Sequence, residues 1–142
     1  SSRHQFETGD ILFGKLRPYF HKVIFASFAG ACTPSAFIFR AKNPLHQMFI
    51  LSVINSNYFV DYATACSTGT TMPSAPLDAL MNFPVVIPTE ELIRDFEKNV
   101  RPLVSQCVLL STSNRRLHTL RDLLLPRLIS GELDVSDLDL VA

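Results

Sequence analysis

From Gly9 to Lys22 the chain reads Gly9-Asp10-Ile11-Leu12-Phe13-Gly14-Lys15-Leu16-Arg17-Pro18-Tyr19-Phe20-His21-Lys22, with cations set among aromatic residues. That mixture suits a polyanion with π-faces, which is nucleic acid. Lys and Arg reach phosphates, and Arg takes a guanine edge through two hydrogen bonds. The competing reading is a strand pair with ordinary solvated lysines, and the pattern alone leaves both open. Ser67-Thr68-Gly69-Thr70-Thr71-Met72-Pro73 is a hydroxyl-rich loop around Gly69. Such loops donate to phosphates or base edges, and they are equally common as plain turns. It is not a P-loop, because no Gly-Lys-Ser/Thr follows. A Cys–His–Asp hydrolase would have to be assembled from Cys32 or Cys66, His21 or His46, and Asp61, and no local signature supports it. No G-x-G-x-x-G loop and no Asn-Pro-Pro-Tyr-type methyltransferase motif occurs, so the sequence offers no catalytic constellation.

The elements that must hold these residues are legible in part. Gly9-Asp10 is a turn signal that starts a strand at Ile11-Leu12-Phe13, and Arg17-Pro18 breaks it. Val23-Ile24-Phe25 predicts a second strand paired with the first like a hairpin. Gly30 to Ser35 reads as a turn-rich connector, and Ala36 to Phe39 as a third strand. Pro44 closes the β region. Leu45 to Asn55 carries apolar residues at helical spacing, and a second helix is expected from Asn57 to Ala65 with Asn57 as its N-cap. Phe83 to Ile87, between Pro84 and Pro88, reads as an edge strand.

From Thr89 the pattern changes. Thr89 is a good N-cap, with Glu90 and Glu91 in the first turn where the helix dipole favours them. Phe96, Val100, Leu103, Cys107, Leu110, Asn114, Leu117 and Leu124 follow a 4-3-4-3 spacing, with Arg121 between the last two, which is a coiled-coil seam. Asn114 within it reads as a register-setting polar residue. Arg115, Arg116 and Arg121 read as solvated or partner-facing. From Glu90 to Leu125 a continuous helix would extend about 54 Å at about 1.5 Å per residue. Pro102 is expected to kink it, Pro126 to end or bend it, and Ser130-Gly131 to close it. A seam of this length needs a partner helix, antiparallel or symmetric.

Composition sets limits on all this. The chain has 142 residues, 47% apolar and 18% charged, with 13 Lys+Arg against 13 Asp+Glu. Mean hydropathy is +0.21. A disordered chain has low hydrophobicity and high net charge, and a uniformly basic coat protein does not balance to zero. The charges are segregated, however. Between Asp10 and Asp61 there is no acid, while Lys15, Arg17, Lys22, Arg40 and Lys42 supply five cations beside His21 and His46. From Thr89 onward seven basic residues face nine acidic ones. Cys32, Cys66 and Cys107 lie far apart without zinc spacing, and we read them as reduced, mostly buried thiols in a cytoplasmic protein. No apolar segment approaches the length of a membrane span, and Ser1 to Glu7 has no signal-peptide core. The opening on Ser1 rather than methionine is read as the mark of an excised or processed piece. The expected organisation is mixed α+β: a sheet-and-helix domain over 1–88, a long helix over 89–130 and a tail over 131–142.

Three segments together resemble the specificity subunit of type I restriction–modification enzymes. They are Gly9 to Phe13 leading into Lys15-Leu16-Arg17-Pro18, then Ser67 to Pro73, and finally Asn114 to Val135. Within the last, Arg121-Asp122-Leu123-Leu124-Leu125-Pro126-Arg127-Leu128-Ile129-Ser130-Gly131-Glu132 is similar to the family's R-D-x-L-L-P-x-L-x-S-G-E, a long and specific match. The chain resembles the distal part of one target recognition domain and its following helix. The resemblance implies that each recognition domain reads half of a bipartite DNA site. It implies an antiparallel coiled coil that spaces two such domains and docks modification and restriction subunits. S-adenosylmethionine, ATP and Mg are then expected in those partner subunits, and this chain would be non-catalytic, without cofactor or metal. Carried over, Lys15, Arg17, Tyr19, His21 and Lys22 are candidates for one DNA-facing segment, and Ser67, Thr68, Thr70 and Thr71 for another. The seam residues are candidates for pairing, with two copies expected to form a homodimer through the helix. The rival is a coiled-coil interaction scaffold that does not bind DNA.

Overall fold

The computed structural model describes residues 3–133. It is mixed α+β, as expected, with five short strands followed by four α-helices. The chain forms two compact units, residues 1–101 and residues from 102 onward.

In the first unit, β2 (Ile11–Gly14) is the central strand of an antiparallel sheet, flanked by β3 (Val23–Phe25) and β5 (Ala36–Phe39). Ile11 faces Phe25 on one side and Phe39 on the other, while Phe13 faces Val23 and Phe37. Alternation follows from the pleat: Ile11 and Phe13 point to one face and are fully buried. Against that face pack Phe59, Val60 and Ala63 of α2 (Asn57–Ala65), Ile54 of α1 (Gln47–Ile54), and Leu80 of α3 (Leu77–Met81). Phe59 is the hub, edge-on to Phe13 at 5.3 Å, Phe83 at 5.1 Å and Phe39 at 6.5 Å.

Four sequence expectations need correction here. Gly30 to Cys32 is a strand, β4, and not part of a connector; it pairs with a strand the sequence reading missed, β1 (His4–Phe6). The pairing is built on the absence of a side chain at Gly30: a Cβ there would stand 2.7 Å from the ring tip of Phe6, its cross-strand partner. An aromatic ring laid over a strand glycine covers the backbone that glycine leaves open. Phe83 to Ile87 has no strand partner among the described residues, because prolines at 84 and 88 remove ladder donors at both ends. Phe83 instead anchors the segment by its ring. The helix at 57–65 is capped by Ser56, whose Oγ accepts from the Phe59 N–H at 3.2 Å. Finally, the first helix is shorter than expected, because Pro44 to His46 forms a 3₁₀ turn before it.

The long helix, α4, runs from Glu90 to Ile129 and contains both Pro102 and Pro126. Thr89 caps it as read, its Oγ1 accepting from the Leu92 N–H at 3.4 Å. Ile93, buried in the first unit, ties its opening turns to the core. Pro102 begins the second unit. Pro126 does not stop the helix, which continues to Ile129 and closes at Gly131, where φ is +73°. There the Gly131 N–H donates to Leu128 O at 3.2 Å. Glycine adopts that left-handed conformation without steric cost, so it suits the position after a helix end. Residues 134–142, most of the expected tail, lie outside the described residues, as do Ser1 and Ser2.

Candidate nucleic-acid interface

The connection from β2 to β3 carries five of the candidate residues in a fixed shape. The ladder continues past the strands, the Gly14 N–H donating to Lys22 O at 2.9 Å. Arg17 then turns left-handed at φ 50°, Pro18 to Phe20 form one 3₁₀ turn, and His21 turns left-handed again at φ 51°. Left-handed conformations cost a non-glycine residue roughly 1–2 kcal/mol each, so tertiary contacts must hold them. Those contacts are on both sides. The Arg17 N–H donates to Pro73 O at 2.7 Å, Pro18 is fully buried, and His21 Nε2 bonds Asn55 O at 3.0 Å. His21 is therefore half-buried at the end of α1, with its ring occupied in positioning the turn.

The second candidate segment leaves α2 and folds back on itself. Ser67 is half-buried, and its hydroxyl donates to Ala63 O at 2.7 Å. Thr68 and Ser74 exchange backbone hydrogen bonds at 3.1 and 2.9 Å, and Gly69 makes the turn between them at φ +100°. The two segments, some fifty residues apart in sequence, are joined by three bonds. Besides the Arg17 N–H to Pro73, Arg17 Nη2 donates to Thr71 O at 3.1 Å and the Ala75 N–H donates to Lys15 O at 3.0 Å. Arg17 Nε is buried with no partner among the described residues. Thr68, Thr70 and Thr71 are exposed on one segment, and Tyr19, Phe20 and Lys22 on the other. Lys15 Nζ sits 5.2 Å from the Phe37 ring centre, and Lys22 Nζ 5.4 Å from that of Phe20.

Not every cation of the acid-free interval lies on these two segments. Arg40 grips Asp10 with two parallel bonds, Nε–Oδ1 and Nη2–Oδ2, both 2.7 Å, and reaches Glu7 at 3.1 Å. Asp10 is 2% exposed and also accepts the Glu7 N–H at 2.7 Å. The Arg40 hydrogen bonds hold its carboxyl below the usual carboxylate range, against the opposing effect of burial. Arg40 is thus committed to structure, which the charge count in the sequence does not reveal. Asp10→Asn is expected to lower stability by about 2 kcal/mol at neutral pH, the size of a lost charged hydrogen bond. A carboxylate with a lowered folded pKa contributes fully above its unfolded value, near 4, and loses that contribution as pH falls through the folded value. Urea midpoints of parent and variant should therefore differ at pH 7 and converge on acidification. A gap of constant size down to pH 2 would refute the assignment.

A second buried carboxylate was also missed. Glu97 of α4 accepts the Met48 N–H at 3.0 Å through Oε2 and pairs with Arg101 through Oε1. Arg101 also donates to Gln47 Oε1 at 3.2 Å. A carboxylate at the first turn of α1 satisfies an orphan donor and faces the positive end of its dipole. The readable signal was the Glu97–Arg101 spacing of four.

The cysteines are free, but they are not mostly buried: Cys32 and Cys66 are half-buried and Cys107 is exposed. Neither His21 nor His46 bonds a thiol or carboxylate among the described residues, and no cluster of metal-binding type occurs there. No described helix is long and apolar enough to cross a membrane. Along α4, Phe96 and Val100 are half-buried, whereas Leu103, Cys107, Leu110, Asn114, Leu117 and Leu124 are exposed. Arg121 bonds its neighbour Asp122 at 2.8 and 2.9 Å. Leu120, Leu123, Leu125 and Ile129 add exposed apolar surface outside the seam toward the helix end.

No protein-family model matches the chain. Three curated proteins are similar to it. One is the type I restriction enzyme EcoDI specificity subunit of Escherichia coli, 31% identical over 102 residues, which is 69% of this chain and 22% of that protein. The HindI specificity subunit of Haemophilus influenzae is 33% identical over 78 residues, 55% of this chain and 16% of that protein. The MjaIX specificity subunit of Methanocaldococcus jannaschii is 33% identical over 70 residues, 49% of this chain and 16% of that protein. The matched stretch is at most about a fifth of the length of these relatives.

Proposed function

We propose that this chain, a relative of type I restriction enzyme specificity subunits over part of their length, is a DNA sequence-specificity module reading half of a bipartite site. Residues 1–88 act as the partial recognition domain and 89–130 as the coiled-coil arm, with 131–142 as a tail. The module is non-catalytic and works in the cytoplasm, and the methyl transfer and cleavage chemistry lie in modification and restriction subunits that dock on it. The observation that carries this reading is the joining of two distant segments by Arg17. Its bonds tie the segment that carries Lys15, Tyr19 and Lys22 to the segment that carries Thr68, Thr70 and Thr71, which supports a shared role. Cations beside hydroxyls and rings answer the three parts of DNA: phosphates, base edges and base faces. Ser67 and His21 are assigned to the mount of these segments, since the Ser67 hydroxyl and His21 Nε2 bond backbone carbonyls.

The test is a salt titration of duplex binding. Each neutralised phosphate contributes about −0.9 to the slope of log K against log salt. Lys15→Ala and Lys22→Ala are each expected to reduce that slope by about one and to weaken binding evenly across sequences. The second reading is an interaction scaffold that does not bind DNA, and the exposed leucines of α4 favour it. Absence of salt-sensitive binding, with the cognate modification subunit present, would decide for the scaffold.

A further inference from the structure

We propose that Tyr19 and Phe20 form an aromatic wedge that inserts at a base step of double-stranded DNA. This reads deformability as well as base edges, and it rests on the DNA-specificity reading above. The two rings lie 4.8 Å apart at 53°, and they are 49% and 57% exposed. The two exposed rings are in contact with each other, so neither stands singly. Contiguous exposed apolar surface marks an interaction site.

The mount of the wedge is stiff. Left-handed residues bracket the 3₁₀ turn on both sides, buried Pro18 pins its base, and Arg17 and His21 are each bonded to a different segment of the chain, the 71–73 loop and the end of α1. A rigid ring pair loses little conformational entropy on insertion, whereas a flexible tip would lose much. The surroundings select the partner. Lys22 stands over Phe20, and the exposed threonines lie on the segment to which Arg17 is bonded. No acidic residue occurs between Asp10 and Asp61. An apolar protein surface gains nothing from that rim, while a base step flanked by phosphates matches both the rings and the cations. Apolar side chains that enter a step unstack it in part and kink the duplex, at an energetic cost set by the sequence of the step.

The experiment measures binding of the full chain, at low salt, to three 30-base-pair duplexes labelled for fluorescence anisotropy. One is an A-tract, one an alternating TA sequence, and one the A-tract with a single central mismatch. A mismatch prepays the unstacking, so the wedge predicts affinity about tenfold higher for the mismatched duplex than for the A-tract, with alternating TA between them. Tyr19→Ala with Phe20→Ala should erase the preference and leave the salt slope unchanged. Tyr19→Phe should retain it. Both positions are exposed, and the melting temperature verifies that the fold survives. Salt-sensitive binding with equal affinity for all three duplexes, or a preference that survives the double substitution, would overturn the wedge and leave the DNA-module reading standing. Unchanged binding in the double variant would assign the tip to a protein partner. No salt-sensitive binding to any duplex would remove the DNA-module reading itself.

Discussion

Phe59→Ala is expected to destabilise the first unit by about 4 kcal/mol, at the level of the larger core truncations. Phe59 is 3% exposed and meets three rings edge-on, from β2, from β5 and from the segment after α3. Truncation removes the transfer energy of a phenyl group and three edge-to-face contacts, and it leaves a cavity that rigid strands cannot collapse into. The neighbouring Tyr58 is 83% exposed, so Tyr58→Ala should change stability by less than about 0.5 kcal/mol. Denaturant midpoints on the two variants check the contrast. A loss below about 1 kcal/mol for Phe59→Ala would mean that the core rests elsewhere. The same substitution should weaken DNA binding without touching DNA, because Phe59 sits on the helix that leads to Thr68 and packs against Phe13 of the strand that leads to Lys15.

What could be read from the sequence depended on how locally each feature is encoded. β2, β3 and β5 are short runs of β-branched and aromatic residues bounded by turn signals, and all three lie where that pattern puts them. α2 is bounded as expected, although the cap fell one residue earlier, since a serine hydroxyl competes well for the orphan N–H groups. β1 and β4 were not legible, because their pairing depends on Phe6 finding a glycine far along the chain, and neither segment alternates in hydrophobicity. The candidate site shows the same division. Cations and threonines were visible as residue types, but their meeting depends on the Arg17 bonds to Thr71 and Pro73. The acid-free interval overstated the free positive charge, since Asp10, at its edge, reaches across the sheet to Arg40. Glu97 was hidden by its place in a helix whose charges otherwise face solvent.

Leu110→Glu with Leu117→Glu should abolish self-association of the chain and leave its folded core untouched. Both leucines are more than 60% exposed in the single chain, so the substitution removes no intrachain packing. With Leu103 and Leu124 they recur every seven residues, the spacing that keeps one stripe turned toward a partner helix. Burying one leucine side chain stabilises by about 2 kcal/mol, so losing two from each of two helices removes about 8 kcal/mol. That is about six powers of ten in the dissociation constant, enough to turn a micromolar dimer into a monomer at any practical concentration. Four carboxylates facing the seam would add desolvation to the loss. Asn114 sits between the two positions, and Asn114→Leu is expected to tighten association while relaxing its register, as removal of a polar seam residue does elsewhere. Sedimentation of parent and variants gives the answer. If the parent stays monomeric at high micromolar concentration, the seam serves a different helix. If the double glutamate variant associates as the parent does, the contact lies on exposed apolar residues outside the seam, such as Leu120 and Leu123.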